Sequence, residues 1–145
     1  MPPMDAPAAD FSASRELLRA NQAFYRAFER LDLDAMREIW LDDDCIQCVH
    51  PASEILCGRG AVLGSWRRIF ESTHSIHFEL RELKATIAPP LGWVVGIERI
   101  RSSIGGAAQA SEAASTNLYL RRADAWRMVL HHASPITRQI GAAWD

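Results

Sequence analysis

Cysteine is scarce in this 145-residue chain, long apolar runs are missing, and neither sign of charge dominates. Three cysteines are an odd number and too few for a disulfide framework, so reduced thiols in a cytoplasm are expected. Cys45 and Cys48 form a Cys-x-x-Cys with His50 and Cys57 nearby. Zinc needs four converging ligands, whereas Cys45 and Cys48 would face opposite sides of a strand, so buried structural thiols and no metal are expected. No apolar run reaches the ~18 residues that span a bilayer, and the N-terminus lacks the basic start and apolar core of a secretory signal. A soluble, cytoplasmic protein with no membrane partner is the expectation. The 16 basic and 18 acidic residues leave a formal charge of −2, and no stretch concentrates Lys and Arg as a phosphate backbone requires, so nucleic acid is not an expected partner.

What remains is a chain that is 48% hydrophobic and 23% charged, the balance of one globular domain able to bury a core. Residues 1–13 carry three prolines, four alanines and no periodicity and read as a flexible leader. The domain is expected over 14–135. Leu17, Leu18, Asn21, Phe24, Tyr25 and Phe28 recur at helical spacing and give a first helix with one strongly apolar face. Asp32 and Asp34 open a short second helix, where acceptors cap free N–H groups, and Leu33, Met36, Ile39 and Trp40 form its apolar side. Asp42 to Asp44 end it. A strand over Cys45–Val49 stops at His50-Pro51, because proline restricts the residue before it and cannot donate to a ladder. Gly58-Arg59-Gly60 opens a third helix with Val62, Leu63, Trp66, Ile69 and Phe70 on one face.

Beyond residue 74 the period changes from 3.6 to 2. Ile76, Phe78 and Leu80 alternate with polar neighbours, and Leu83, Ala85 and Ile87 continue in the opposite phase, which predicts a bulge near Arg81 or Glu82 that bends a long strand. Pro89 to Gly92, Gly105-Gly106 and Asp124 mark turns between three further strands, Trp93–Ser103, Ala108–Arg122 and Trp126–His132. Helices first and an antiparallel meander second predict α+β architecture, with the helices packed into the concave side of a bent sheet. In the tail, 136–145, Ile136, Ile140 and Trp144 recur every four residues; docking as a helical turn, a place at a subunit interface and simple fraying all remain open.

This order of elements, with Trp-Leu-Asp-Asp-Asp after the short helix, a strand into His-Pro, a Gly-Arg-Gly helix start and a closing strand Trp126 to Ser134, resembles the SnoaL-like proteins of the nuclear transport factor 2-like superfamily from about Ser14 to Pro135. The closing strand is also similar to that of the association domain of calcium/calmodulin-dependent kinase in its Trp, in a His at His132 and in a Ser at Ser134. The resemblance implies a cone-shaped fold in which a curved antiparallel sheet wraps the long first helix, an internal pocket at the open end, and a homodimer through the outer face of the sheet. Steroid isomerases of the superfamily place a tyrosine on helix one, an aspartate before a proline and an aspartate on the penultimate strand. By position these fall on Phe24 with Tyr25 beside it, on His50 and on Asn117. All three differ, so a histidine and an amide would have to serve as base and oxyanion donor.

His50 is thus the first catalytic candidate, against the plainer reading of an exposed turn residue. Glu98 is the second: within Val94 to Glu98 it is the one carboxylate, it shares a strand face with Gly96 and Ile100, and it must find a partner if buried, with Arg99, Arg101 or Arg121 as candidates for a purely structural ion pair. Asn117 is the third, on one face with Ser115 and Tyr119, where a poor strand former calls for compensation; a hydrogen bond to a loop is its plainer role. Tyr25, Trp40 and Trp66 are candidate pocket walls, although tryptophans on apolar helix faces are usually core. His132 joins the pocket by its position in the resemblance, His131 is expected to face the other way, toward a dimer interface, and His74 and His77 read as solvated.

Two functions remain open. One is an enzyme acting on a small, largely apolar molecule by acid–base chemistry without a cofactor, of isomerase, cyclase, dehydratase or hydrolase type, with His50, Glu98 and Asn117 converging. The other is a non-catalytic ligand-binding or assembly domain. Geometry separates them, because an ion pair between Glu98 and arginine on the outer face would remove the first.

Overall fold

The computed structural model describes residues 8–137, with two short helices and four long strands set around one long helix. Helix α1 spans Ala8–Glu29 and begins six residues ahead of Ser14. Its apolar face buries Leu17, Asn21, Phe24 and Tyr25, whereas Leu18 lies at the margin and is exposed. Helix α2, Leu33–Ile39, is capped by the Asp32 carboxylate, which accepts from the Ala35 N–H at 3.0 Å. Helix α3 covers Arg59–Ser72 and buries Val62, Ser65 and Trp66.

The six strands are β1 (Gln47–Val49), β2 (Ile55–Cys57), β3 (Thr73–Ala88), β4 (Leu91–Ile104), β5 (Ala107–Arg122) and β6 (Ala125–Pro135), in sheet order β2-β1-β6-β5-β4-β3. The long strands form the expected antiparallel meander. Strand β1 joins it in parallel with β6, and β2, which sequence periodicity did not reveal, closes a small hairpin on β1. The sheet is curved and unclosed, in keeping with α+β architecture, and α1 lies against β3, β4 and β6 on the concave side.

Two irregularities set which side chains face inward. In β3 the register shifts between Arg81 and Lys84, with Glu82 at φ 54°, as the change of hydrophobic phase predicted. Gly96 sits across from this bulge: a Cβ there would lie 2.5 Å from Leu83 Cδ2 and 3.1 Å from the Arg81 carbonyl oxygen, so only glycine allows the two strands to approach. In β6 the register shifts by one residue, since Leu118 pairs with Leu130 but Tyr119 with Met128. Val129 is the extra residue. Before it Trp126 and Met128 face the core; after it His131 and Ala133 do.

The core contains Leu17, Phe24, Met36, Trp40, Ile46 and Trp66 among its fully buried side chains. Phe28 packs against Trp66, Phe70 and Phe78, with ring centroids 4.6–6.0 Å apart. Among the described residues no helix is long and apolar enough to cross a membrane. Of the tail residues considered above, Ile140 and Trp144 lie outside the described residues, while the Ile136 N–H donates to the Glu112 carbonyl and prolongs the β5–β6 contact.

Candidate functional site

A polar chain runs through the middle of this core. Alternation in β4 turns Val94, Gly96 and Glu98 inward, and Glu98 is left 2% exposed. Its partner comes from α1: the Tyr25 hydroxyl donates to Glu98 Oε2 at 2.5 Å. The arginines are engaged elsewhere, Arg99 with Glu79 and Glu112 and Arg121 with Glu16 and Asp124. Burial therefore acts on Glu98 without a cation to offset it and raises its pKa from 4.5 to about 7, the Tyr25 hydrogen bond working in the opposite sense. Burial and the adjacent carboxylate push the Tyr25 phenol well above its usual value.

Strand β5 supplies the next link. Ser115, Asn117 and Tyr119 all face inward, as alternation predicted. Asn117 Nδ2 donates to Asn21 Oδ1 at 2.8 Å and to the Tyr25 oxygen at 3.2 Å, and the Tyr119 hydroxyl donates to the same Asn21 oxygen at 2.8 Å. Ser115 Oγ stands 3.3 Å from the Tyr25 oxygen. Asn117 Oδ1 can only accept, so the 2.6 Å contact with His131 Nδ1 fixes that ring as the Nδ1–H tautomer. Donation thus runs one way, from His131 through Asn117 and Tyr25 to Glu98.

His50 forms a separate group. Ser65 gives its own proton to the Val62 carbonyl at 2.6 Å, so Ser65 Oγ accepts from His50 Nε2 at 2.9 Å. The His50 ring lies edge-on to Trp66 at 4.8 Å and 6.2 Å from the His131 ring, with Cys48 Sγ 3.5 Å from Nε2. Burial lowers the pKa of His50 to about 4, helped by Arg68, and that of His131 to about 3, helped by the neighbouring His50 and His132. Both imidazoles are neutral at physiological pH, and burial lifts the Cys48 thiol to about 12, so it is no thiolate nucleophile.

Two of the three catalytic candidates, Glu98 and Asn117, meet on Tyr25, while His50 stands apart on Ser65. Trp40 and Trp66 are fully buried core residues, and neither the indole N–H of Trp40 nor that of Trp66 has a hydrogen-bond partner. The inward assignment of His132 is corrected: the residue is exposed, and His131 occupies the interior because Val129 shifts the strand by one residue. Asn21, Ser65, Ser115, Tyr119 and His131 were not singled out from sequence. Asn21 did carry a signal, as the one polar residue on the apolar face of helix one. Five surface clefts of 270–560 Å³ among the described residues are not lined by His50, Glu98 or Asn117. No cluster of His, Cys, Asp and Glu suited to a metal ion occurs among the described residues.

Comparison with known proteins gives this geometry a context. The family model of the SnoaL-like domain matches residues 17–138. A crystal structure of a candidate dehydratase of the nuclear transport factor 2-like family from Streptomyces avermitilis is 31% identical, covers 89% of this chain and 99% of its own, and superposes with a TM-score of 0.84. A candidate calcium/calmodulin-dependent protein kinase type II association domain from Thiobacillus denitrificans is 37% identical over 81% of this chain and 93% of its own, with a TM-score of 0.69. The F-box protein SKIP8 of Arabidopsis thaliana is 25% identical over 124 residues; the match takes in 86% of this chain but only 51% of that protein, so the chain spans about half the length of this curated relative.

Proposed function

The chain belongs to the SnoaL-like domain family, and on that premise we propose that it is a cofactor-independent acid–base enzyme acting on a small, largely apolar molecule inside the cone. The observation that carries this reading is Glu98, a carboxyl 2% exposed whose hydrogen-bond partner is a neutral phenol. A carboxylate so placed is costly as a purely structural element, and a pKa near 7 suits a group that must both take and give a proton at neutral pH. In the proposed mechanism Glu98 exchanges the proton, Tyr25 and Asn117 hold its orientation, and His50 serves as a second proton acceptor on the Trp66 side. An elimination of the dehydratase type balances on this pairing, neutral His50 taking the C–H proton and protonated Glu98 giving its proton to the leaving hydroxyl, which departs as water, and the likeness to the Streptomyces avermitilis protein supports that class. Glu98 is 2% exposed, so substrate reaches it only if side chains packed around it give way, and the unpartnered Trp66 N–H is a ready donor to a substrate oxygen.

The test is a metabolite thermal-shift screen followed by turnover assays on stabilising compounds. Glu98→Gln should abolish turnover, His50→Ala should lower it by about 10², and the wild-type rate should follow a group titrating near pH 7. A screen in which no metabolite raises Tm, together with activities that both variants leave unchanged, removes the enzyme from consideration.

A second reading, a ligand-binding or assembly domain, is supported by the outer sheet face, where Trp93 and Leu118 pair across β4 and β5 beside the 44%-exposed Val95, and by the likeness to the association domain. Here the protein is a homodimer through that face. Val95→Arg should then give a monomer in sedimentation velocity while wild type sediments as a dimer. Of the three free thiols Cys48 is buried as expected, whereas Cys45 and Cys57 are exposed, and exposed free thiols suit a reducing, cytoplasmic setting for either reading.

A further inference from the structure

The surface carries a cleft of about 560 Å³ where the end of α2, the start of α3 and the β5–β6 turn come together. Four of its ten lining residues are arginines: Arg37, Arg59, Arg122 and Arg127. A smaller cleft of about 440 Å³ adjoins it, shares Arg37 and Arg59, and adds Arg67.

The way these guanidiniums are held points to a ligand. Arg59 Nη1 donates to the Leu41 carbonyl at 2.7 Å, and Arg127 Nη1 donates to the Glu38 carbonyl at 2.9 Å. A backbone carbonyl fixes the place of a guanidinium without cancelling its charge. The acids in the neighbourhood do little to cancel it. Asp42 meets Arg59 at 3.3 Å and Asp34 meets Arg37 at 3.5 Å, but the two carboxylates are 97% and 93% exposed, and such pairs are worth little in water. Asp43, within electrostatic reach of Arg122, is likewise fully solvated. Glu38 also lines the cleft. Trp40 contributes to the wall; it is 2% exposed, and its indole N–H is buried without a partner.

We infer that this cleft binds a small polyanion, a molecule bearing phosphoryl or clustered carboxylate groups, on Arg59, Arg122 and Arg127. The planar guanidiniums of Arg59 and Arg127, held by backbone carbonyls, with exposed Arg122 beside them, suit bidentate contact with such groups. The site is independent of Glu98 and of whatever reaction occurs in the interior.

The test uses the intact protein at constant ionic strength, titrated with inorganic pyrophosphate in one arm and citrate in the other, while the Trp40 Nε1–H resonance, assigned through Trp40→Phe, is followed by NMR. Saturable shifts are expected with at least one probe, the responding arm naming phosphoryl or carboxylate chemistry. Arg122→Gln, at an exposed position, should raise the Kd about tenfold, and Arg122→Gln/Arg127→Gln should raise it about a hundredfold, with far-UV CD and Tm confirming the fold. Asp42→Asn should tighten binding. Absence of a saturable shift with both probes, or a Kd that the arginine substitutions leave unchanged, overturns the proposal.

Discussion

Glu98 makes an unusual stability profile. Its pKa rises from 4.5 in the unfolded chain to about 7 in the fold, so between those values the native state holds a proton that the unfolded state has lost. The contribution of Glu98 is therefore greatest below about pH 4.5 and is lost as the pH climbs through 7, the reverse of a salt-bridged carboxylate. At 1.36 kcal/mol per pH unit the full span is roughly 3 kcal/mol, and the part between about pH 5.5 and 7 is roughly 2 kcal/mol. His50 and His131 act in the other direction: their pKa values fall from 6.5 to about 4 and about 3, so the unfolded chain takes up protons first and stability declines as the pH drops below 6.5. Glu98→Gln isolates the carboxyl, because glutamine is uncharged like the protonated acid and can donate to or accept from Tyr25 while leaving both histidines in place. Urea unfolding of both proteins at half-unit steps from about pH 5.5 to 8 should show the stability of wild type relative to Glu98→Gln falling by roughly 2 kcal/mol up to pH 7 and then levelling. A difference that stays constant, or that grows in favour of wild type with pH, would refute an uncompensated buried carboxyl.

Gly96→Ala should destabilise the protein by roughly 1–3 kcal/mol, measured as a lower urea midpoint, because its Cβ meets Leu83 at 2.5 Å and the Arg81 carbonyl at 3.1 Å and the bulge must open. Asn117→Leu fills the same volume but strips His131 Nδ1 of its acceptor and Asn21 and Tyr25 of a donor, and chemical denaturation should register a loss of roughly 2–4 kcal/mol. Ser115→Ala removes the hydroxyl 3.3 Å from the Tyr25 oxygen and should lower the Glu98 pKa in ¹³C-carboxyl NMR titration, since the neutral acid needs Tyr25 to find another acceptor.

Much of this architecture was legible in the order of residues, and the parts that were not have definite causes. The alternation of β3, β4 and β5 sorted Phe78, Glu98, Asn117 and Tyr119 by strand face without deciding whether the face of Glu98 was inner or outer, and the phase change after Leu80 exposed the first bulge. The second bulge left no such mark: Met128, Val129 and Leu130 are all apolar, so the pattern reads equally well with or without an extra residue. That ambiguity exchanged His131 for His132. Strand β2 has three residues and owes its existence to pairing with β1, which no local period records. Strand parity grouped Glu98 with Gly96 and Ile100, but neither the side that face would take nor its partner was readable, because Tyr25 lies 73 residues away on a helix whose rotation is set by packing.

The direction of donation in the polar chain links its stability to its chemistry. With Glu98 ionised, each proton from His131 to Tyr25 already points toward the carboxylate, and every bond in the chain is satisfied. Once Glu98 is protonated it becomes a donor to the Tyr25 oxygen, and the Tyr25 proton must turn elsewhere. Ser115 Oγ, at 3.3 Å from that oxygen, is positioned to accept it. The buried cluster thus has two complete hydrogen-bonding states that differ by one proton on Glu98 and one rotation of a hydroxyl, with no heavy atom displaced. A purely structural network needs only one such state, and the presence of a second is the reason Glu98, rather than the better-known position at His50, is the centre of the proposed reaction.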